Sequence, residues 1–260
     1  MTASRAGADL GRITVVILTH NEAPHLQACL ESVAWADRVL VVDSGSRDGT
    51  RQLAAATGAE VVHHTFGNFS RQRNHALGLV RTPWTFFVDA DERTPPALAA
   101  EVRSAIRGES AGYWVPRHNV FWGRVVRGGG WWPDHQLRLM ATDRAHYDPA
   151  RAVHEVAIVD GPTGYLTTPL RHLNYGDWGE FRARQGQYAQ LEAQRRRAMG
   201  LQPRRRSLLS LPVREFWRRY VALAGWRDGS LGLLLALHMA YYELETVRAT
   251  GASPTAAPPA

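Results

Sequence analysis

Four apolar segments, each followed by a polar cluster and then a helical pattern, most constrain how this chain can fold. The first is ITVVIL at residues 13–18, and the others lie at 39–42, 59–63 and 84–88. Continuous runs of β-branched and aromatic residues are typical of parallel strands buried on both faces. Helical patterns follow at about 24–33, 50–57, 70–79 and 95–107. This alternation predicts an α/β fold with a doubly wound, mostly parallel sheet.

The polar clusters follow three of these strands directly, at Thr19–Glu22, Asp43–Thr50 and Asp89–Glu92. In open α/β sheets, ligands bind beyond the carboxyl ends of the strands. We therefore expect these clusters to meet at one ligand-binding rim. Asp43 ends a buried strand and is placed to accept hydrogen bonds from a ribose or a base.

Asp89 and Asp91 are separated by one residue at the end of the fourth strand. Alternate residues of a strand point to the same side, so both carboxylates can face one point. Two such oxygen ligands suit Mg²⁺ or Mn²⁺, which commonly bind one or two carboxylates together with substrate phosphates. The alternative is that these acids only cap the following helix.

Several classes of protein are excluded by what the sequence lacks. The loop after the first strand, THNEAP, contains no glycine, which disfavours the G-x-G-x-x-G mode of dinucleotide binding. All 31 basic residues are arginine, so a Walker phosphate loop and a pyridoxal Schiff base are both excluded. Cys29 is the only cysteine, so neither an internal disulfide nor a cysteine metal site can form. There is no signal-peptide pattern and no run of 18 apolar residues, and we expect a reducing cytoplasm.

Several blocks of the sequence, in order and with plausible spacing, resemble the signature blocks of family 2 glycosyltransferases, which have the GT-A fold. The first four are VVILTHNE, VLVVDSGSRDGT, FSRQRNHAL and WTFFVDADE. The later stretches WWPDHQLRLM and HYDPARAVHE resemble the bacterial subgroup that includes lipopolysaccharide-core β-1,4-glucosyltransferases. The resemblance extends over residues 13–188, and 216–242 resemble the tail of that subgroup more loosely.

The resemblance implies a set of residues that contact the nucleotide-sugar: Thr19, Asn21, Glu22, Asp43, Gln72, Arg73, Asn74 and Asp89. It also implies that Asp89 and Asp91 are the metal-binding pair, with Asp91 as the direct ligand. Arg138 would steady the diphosphate or form a salt bridge within the fold.

The resemblance implies an inverting reaction in which a carboxylate removes a proton from an acceptor hydroxyl. The candidates for this general base are Glu155, in a block characteristic of the subgroup, and Asp134. Many family members carry a Glu-Asp pair followed by Gln-x-x-Arg-Trp, and this sequence lacks both patterns, so the sequence leaves the base open. Trp122, Trp131 and Trp132 lie among glycines and fit either a sugar-stacking wall or loop packing.

The expected activity is transfer of a hexose from a nucleotide diphosphate sugar, with a UDP-sugar as donor. The acceptor would be a glycan or glycolipid in the synthesis of the bacterial cell envelope, such as lipopolysaccharide. Polyprenyl phosphate is an alternative acceptor. A non-catalytic nucleic-acid-binding protein is an alternative class because the chain is basic, with a net charge of +7. No recognition motif for nucleic acid is present, so we expect no nucleic-acid partner.

The predicted organisation has four parts. Residues 1–11 form a flexible N-terminus, 12–175 a catalytic domain, 176–250 a helical extension and 251–260 a disordered tail. The nucleotide-sugar half of the catalytic domain ends near residue 110. The extension is rich in arginine and contains the short apolar run LGLLLALHMAYY at 231–242. Such a combination fits a helix at an anionic membrane surface, or a basic face packed on the catalytic domain. A helix at the membrane surface would make this a peripheral protein on the cytoplasmic face of the inner membrane.

Overall fold

The computed structural model describes residues 11–150 and 156–251. Residues 1–10, which belong to the N-terminus predicted to be flexible, lie outside the described residues, as do the candidate base Glu155 and the tail after Gly251. The chain divides into two compact units. The first comprises the described residues up to Arg117 and from Asp134 to His172, and the second comprises His118–Pro133 and the described residues from Leu173 onward.

The four predicted parallel strands are present and lie side by side in the order β3-β2-β1-β4. Their bounds are β1 (Ile13–Thr19), β2 (Arg38–Asp43), β3 (Glu60–His63) and β4 (Trp84–Phe87). β1 pairs in parallel with both β2 and β4, and Thr19 stands opposite Asp43. The two polar loops that follow β1 and β2 therefore begin at the same level of the sheet.

Helices follow these strands as the sequence predicts: α1 (Ala23–Ser32), α2 (Thr50–Ala56), α3 (Phe69–Leu79) and α4 (Pro96–Ala105). In α1 a proline occupies the first turn, where its missing N–H removes no intrahelical hydrogen bond. The same helix buries Leu26, Cys29 and Leu30 against the sheet. Each fully buried leucine contributes about 1.5–3 kcal/mol to stability.

Side chains of β1 enter two different cores because successive residues of a strand point to opposite faces. Ile13, Val15 and Ile17 belong to one hydrophobic cluster, and Val16 belongs to another. This burial on both faces explains why the strand reads as an uninterrupted apolar run.

The second half of the sheet is largely antiparallel. Its strands are β5 (Glu92–Arg93), β6 (Gly112–Phe121), β7 (Arg124–Val125), β8 (His135–Ala141), β11 (Thr163–Tyr165) and β12 (Leu170–Tyr175), and β9 (Ala145–Tyr147) and β10 (Ala157–Val159) form a separate pair. β8 lies antiparallel to β4 and to β6, and the strand order continues from β4 as β8-β6-β12-β5. The α/β class is confirmed, and the complete sheet is mixed rather than uniformly parallel.

The second unit is mainly helical, with α5 (Trp178–Ala198), α6 (Ser207–Trp217) and α7 (Gly229–Gly251). A π-helical turn at Arg218–Ala222 continues α6. Phe121 and Phe181 are fully buried in its core, and Trp122 and Trp131 pack beside them. Loop packing is thus the environment of these two tryptophans. Within the described helices none is both long and apolar enough to cross a membrane.

Candidate active site

Asp43 organises the loop that follows β2. One carboxylate oxygen accepts hydrogen bonds from the backbone N–H groups of Gly45 and Ser46, both at 3.0 Å. The other accepts from the hydroxyl of Ser46 and, at 3.1 Å, from that of Thr19. Burial raises the pKa of Asp43, but these hydrogen bonds outweigh it, and the pKa lies below its usual value. The buried carboxylate therefore fixes the loop, and its predicted contact with a nucleoside stays a prediction.

The loops after β1 and β2 are tied together by Asn21, whose backbone has a positive φ of 57°. Its N–H donates to Ser46 Oγ at 2.8 Å, and its side-chain oxygen accepts from the N–H of Arg47 at 2.9 Å. The next N–H, that of Glu22, donates to Thr50 Oγ1 at 2.9 Å. Gly45 and Gly49 supply the turns of the second loop, with φ near +92° at both. Two of the three predicted polar clusters thus form one continuous rim.

A cavity of about 310 Å³ opens beside this rim. Its lining consists of Leu18, Thr19, His20, Glu22, Ser44, Phe66, Phe69 and Gln72. Phe66 and Phe69 are about half exposed and meet edge to face, with ring centroids 5.2 Å apart. The sequence analysis missed both. The available signal was two aromatic residues between β3 and the RQRN block, one in the loop and one at the first position of α3.

Gln72 and Asn74 use their amides within the protein. The buried Gln72 donates to Ser44 Oγ at 2.7 Å and to the carbonyl oxygen of His64 at 3.2 Å. Asn74 donates to the carbonyl oxygen of Tyr147 at 2.7 Å and accepts from its N–H at 2.8 Å. Gln72 therefore lines the cavity while it fixes neighbouring loops, and Asn74 holds β9. Their predicted contacts with a nucleotide-sugar stay predictions.

Asp89 lies in an ion-pair network that also includes Arg73 and Arg138. Arg138 donates to both oxygens of Asp89, one of them at 3.1 Å, and Arg73 lies 3.5 Å from one of the same oxygens. Burial raises the pKa of Asp89, but Arg138 and Arg73 outweigh it and hold the pKa far below its usual value. The salt-bridge alternative predicted for Arg138 is present, and a role toward a diphosphate stays a prediction.

Glu92 extends this network in the interior of the first unit. Its carboxylate is completely buried and accepts from Arg138 at 3.2 Å and from Arg117 at 3.4 Å. The other oxygen accepts from the backbone N–H of Asp89 at 2.9 Å. Glu92 therefore fixes both the backbone and the arginine partner of Asp89. The sequence analysis did not single it out, although it directly follows Asp89 and Asp91 in the DADE stretch.

Asp91 has a different partner from Asp89. His172 Nε2 lies 3.3 Å from Asp91 Oδ2. A carboxylate oxygen suits Mn²⁺ or Mg²⁺ when phosphate oxygens complete the coordination. An imidazole nitrogen is a common metal ligand and, of these two ions, fits Mn²⁺ better. In residues 11–150 and 156–251, no three His, Cys, Asp or Glu side chains are grouped as a metal site. Asp91 and His172 thus form a two-ligand arrangement. Like Phe66, Phe69 and Glu92, His172 was not among the residues predicted from the sequence.

Asp134, one of the two candidate bases, is held through both carboxylate oxygens. Arg117 approaches one oxygen through two nitrogens at 2.8 and 2.7 Å. The side-chain amide of Gln136 donates to the other at 2.7 Å.

Comparison with known proteins identifies the family. The family model for glycosyl transferase family 2 matches residues 14–158. This range contains the rim, the cavity and the ion-pair network of Asp89, but His172 lies outside it. LpsC of Rhizobium meliloti, a lipopolysaccharide core biosynthesis glycosyltransferase, is 29% identical over 247 residues, which cover 90% of each chain. A TPR repeat-containing protein of Synechococcus elongatus is 28% identical over 186 residues, 65% of this chain and 44% of that one.

Among solved structures, a glucosyl-3-phosphoglycerate synthase from Mycobacterium tuberculosis in complex with Mn²⁺ and UDP is similar, at 24% identity and a TM-score of 0.36. The match covers 42% of this chain and 44% of that one. TarS of S. aureus is 16% identical with a TM-score of 0.45, covering 70% of this chain and 39% of that one. The chain thus spans less than half the length of these structures.

With a family match over more than half of its residues, the chain belongs to glycosyl transferase family 2. Its α/β domain is of the GT-A type, and the helices α5 to α7 form the C-terminal extension. The protein is a glycosyltransferase.

Proposed function

We propose that this protein is an inverting, divalent-cation-dependent hexosyltransferase. Its donor is a UDP-sugar, and its acceptor is a glycan or glycolipid of the bacterial cell envelope. The observation that carries the proposal is the arrangement at the carboxyl ends of the parallel strands. There the Asp91–His172 pair and the Asp89 network follow β4, and the aromatic cavity lies beside β1 and β2. The similarity to LpsC supports lipopolysaccharide core as the acceptor class.

The cavity beside β1 suits the nucleoside part of the donor. Ligand cavities commonly begin at about 300 Å³ and combine apolar or aromatic walls with a few polar groups. Phe66 and Phe69 provide flat apolar faces for a base, and Thr19 and Glu22 provide polar atoms. In this proposal Asp43 acts by holding the loop that carries Ser44.

Asp91 and His172 would hold the divalent cation. When bound, that cation would neutralise negative charge on the diphosphate leaving group. The acceptor hydroxyl loses its proton to the general base, and its oxygen forms a bond to the anomeric carbon. The bond from that carbon to the diphosphate oxygen breaks, and the nucleoside diphosphate leaves with the electron pair. Attack from the face opposite the leaving group inverts the configuration.

We propose Glu155 as the general base in preference to Asp134. The observation behind this choice is that Arg117 and Gln136 occupy both oxygens of Asp134. A base must reach the proton that it removes, and these contacts would have to break first. Glu155→Gln should abolish transfer. Asp134→Asn should only reduce the rate of transfer, because Arg117 loses its charged partner and shifts, and the shape of the pH–rate profile should stay unchanged. Loss of the acidic limb of that profile in Asp134→Asn alone would reverse the assignment.

The test of the proposal combines turnover with metal binding. A panel of nucleotide sugars is supplied with Mn²⁺ or Mg²⁺, using heptose-containing core oligosaccharide and polyprenyl phosphate as separate acceptors. Free Mn²⁺ is measured by electron paramagnetic resonance in the presence of UDP. Asp91→Asn and His172→Ala should lose Mn²⁺ binding and transfer, and Asp143→Asn, which changes an exposed acid of the same unit, should lose neither. Unchanged Mn²⁺ binding in Asp91→Asn would refute the cation role, and transfer only to polyprenyl phosphate would refute the acceptor class.

The proposed location is peripheral, on the cytoplasmic face of the inner membrane. A lipid-linked acceptor would make contact with that surface useful. The basic and apolar composition of the C-terminal extension supports this location.

A further inference from the structure

Helix α6 and the π-helical turn after it carry a row of exposed apolar side chains. Leu209, Val213, Trp217 and Val221 follow one another at intervals of four residues, with exposed fractions of 73%, 58%, 62% and 40%. Residues four apart lie on the same face of a helix, so these side chains form one row, roughly 18 Å long. We call this row the apolar ridge.

The apolar ridge is unusual for a helix of a globular unit. Such helices normally turn their apolar stripe toward the core and their polar residues toward water. None of the α6 residues is buried. The ridge residues are exposed, whereas Leu211, Pro212 and Phe216 of the same helix are half-buried. Contiguous exposed apolar surface of this kind marks an interaction site.

Arginines surround the apolar ridge. Arg204, Arg205 and Arg206 directly precede α6 and are exposed, and among the described residues none of the three forms an ion pair. Arg214, within α6, is also exposed. Residues 203–228 contain seven arginines and only two acidic residues. The surface therefore complements a partner that is both apolar and negatively charged.

We propose that the apolar ridge and these arginines form a docking surface for an anionic lipid bilayer. The ridge side chains would enter the boundary between headgroups and acyl chains, and the guanidinium groups would contact lipid phosphates. A tryptophan such as Trp217 suits this boundary because its ring has an apolar body and a polar N–H. With 11 residues, α6 is too short to span a bilayer and would lie along its surface. The inference deepens the peripheral location in the proposed function and rests on it.

A second copy of this chain fits the surface less well. A two-fold contact places the same patch of both copies face to face. The arginines of one copy would then oppose those of the other, and such like-charge contacts are unfavourable. Anionic headgroups have the opposite charge, and a fluid bilayer needs no matching groove for a ridge one side chain wide.

A site-specific fluorophore tests insertion directly. The one native cysteine, Cys29, is buried, and its burial raises the pKa of the thiol to about 12, so it reacts poorly with thiol reagents. Val213→Cys is therefore labelled with an environment-sensitive dye in the full chain. The matched control is Leu191→Cys on α5, where the native side chain is 59% exposed. Phosphatidylcholine vesicles containing phosphatidylglycerol should shift the emission to the blue at position 213 and leave position 191 unchanged. No shift at 213, or equal shifts at both positions, would overturn the proposal.

Charge reversal tests the arginines. Each arginine near an anionic surface strengthens binding roughly fivefold, so Arg205→Glu with Arg206→Glu should weaken vesicle binding tenfold or more. The matched control is Arg81→Glu with Arg107→Glu, which reverses two exposed charges of the first unit. This variant should bind vesicles as tightly as the parent protein does. Thermal unfolding of each variant shows that its fold is retained. Equal weakening by both pairs would overturn the assignment of the surface.

Two further readouts separate the possible failures. Transfer from the UDP-sugar to a water-soluble acceptor should be unchanged in Val213→Asp, while vesicle binding should be lost. Retained vesicle binding with intact transfer would overturn the docking surface and leave the enzyme proposal standing. Lost transfer in the parent protein with intact vesicle binding would overturn the enzyme proposal instead. If the parent self-associates without lipid, and Val213→Asp becomes monomeric but still binds vesicles, the apolar ridge is a contact between copies.

Discussion

Replacement of Glu92 by glutamine should destabilise the protein far more than its modest change in size suggests. The carboxylate is fully buried and accepts from Arg138, from Arg117 and from the backbone N–H of Asp89. Breaking a buried charge pair costs about 3–5 kcal/mol, because the remaining partner stays buried without compensation. Glutamine keeps one accepting oxygen, but its amide N–H₂ would face a group that itself donates, either the arginines or the N–H of Asp89. We therefore expect the free energy of unfolding to fall by about 2–4 kcal/mol. For a chain of this size, a loss of about 3 kcal/mol lowers Tm by about 6–12 °C.

The matched control is Glu60→Gln, which makes the same chemical change in an exposed ion pair. Glu60 lies 2.5 Å from Arg38, and both side chains are nearly half exposed. Exposed pairs of this kind contribute about 0–1 kcal/mol because water and salt screen them. Urea unfolding, followed by tryptophan fluorescence and circular dichroism, compares both variants with the parent. Equal losses in the two variants would refute the argument that burial makes the Glu92 network strong.

Two further predictions concern local contacts. Asp37 accepts hydrogen bonds from Arg103 and from the N–H of Ile13, and although burial raises its pKa, these partners hold the pKa below its usual value. The resulting stabilisation is present above the usual pKa and is lost as the pH falls through the lowered one. Asp37→Asn should therefore cost about 1–2 kcal/mol at neutral pH and nothing in strong acid, as measured by urea unfolding at both. Gly232→Ala would place a methyl group 1.8 Å from a backbone oxygen and should lower the free energy of unfolding by more than about 2 kcal/mol. Gly186→Ala adds its methyl group to open space in α5 and should raise the free energy of unfolding by up to about 1 kcal/mol. Thermal unfolding of the two alanine variants checks the difference in sign.

The parallel half of the fold could be predicted because its signals are local. β4 is buried along its whole length and β1 at every position except Leu18, so both sequences are dominated by the apolar and β-branched residues typical of a strand. The helices between the strands begin at proline or at polar residues and keep a regular apolar period. The second half lacks these signals. β6 contains a proline and an irregular step between Tyr113 and Trp114, and its pairing partners depend on distant parts of the chain.

The candidate site could be predicted as a set of residues but not as a set of contacts. Asp89, Asp91 and Asp43 were recognisable because each follows a buried strand. Their partners were not, because Arg138 is 49 residues from Asp89 along the chain and only the fold brings them together. His172 is a still more distant partner of Asp91, and no local pattern around it indicates a ligand. Sequence spacing could not show that Asp89 and Asp91 have different partners.

The charges of the buried network explain why the proposed enzyme would need a cation. Among the described residues, ion pairs in this network join three carboxylates and three guanidinium groups: Asp89, Glu92, Asp134, Arg73, Arg117 and Arg138. Within this set the charges cancel, so these arginines already have carboxylate partners before a donor binds. A diphosphate that gains negative charge as the sugar leaves would then find no net positive charge in this network. A divalent cation on Asp91 and His172, which lie 3.3 Å apart, would supply that charge. The proposed metal dependence thus follows from the charge balance of the site as well as from the presence of suitable ligands.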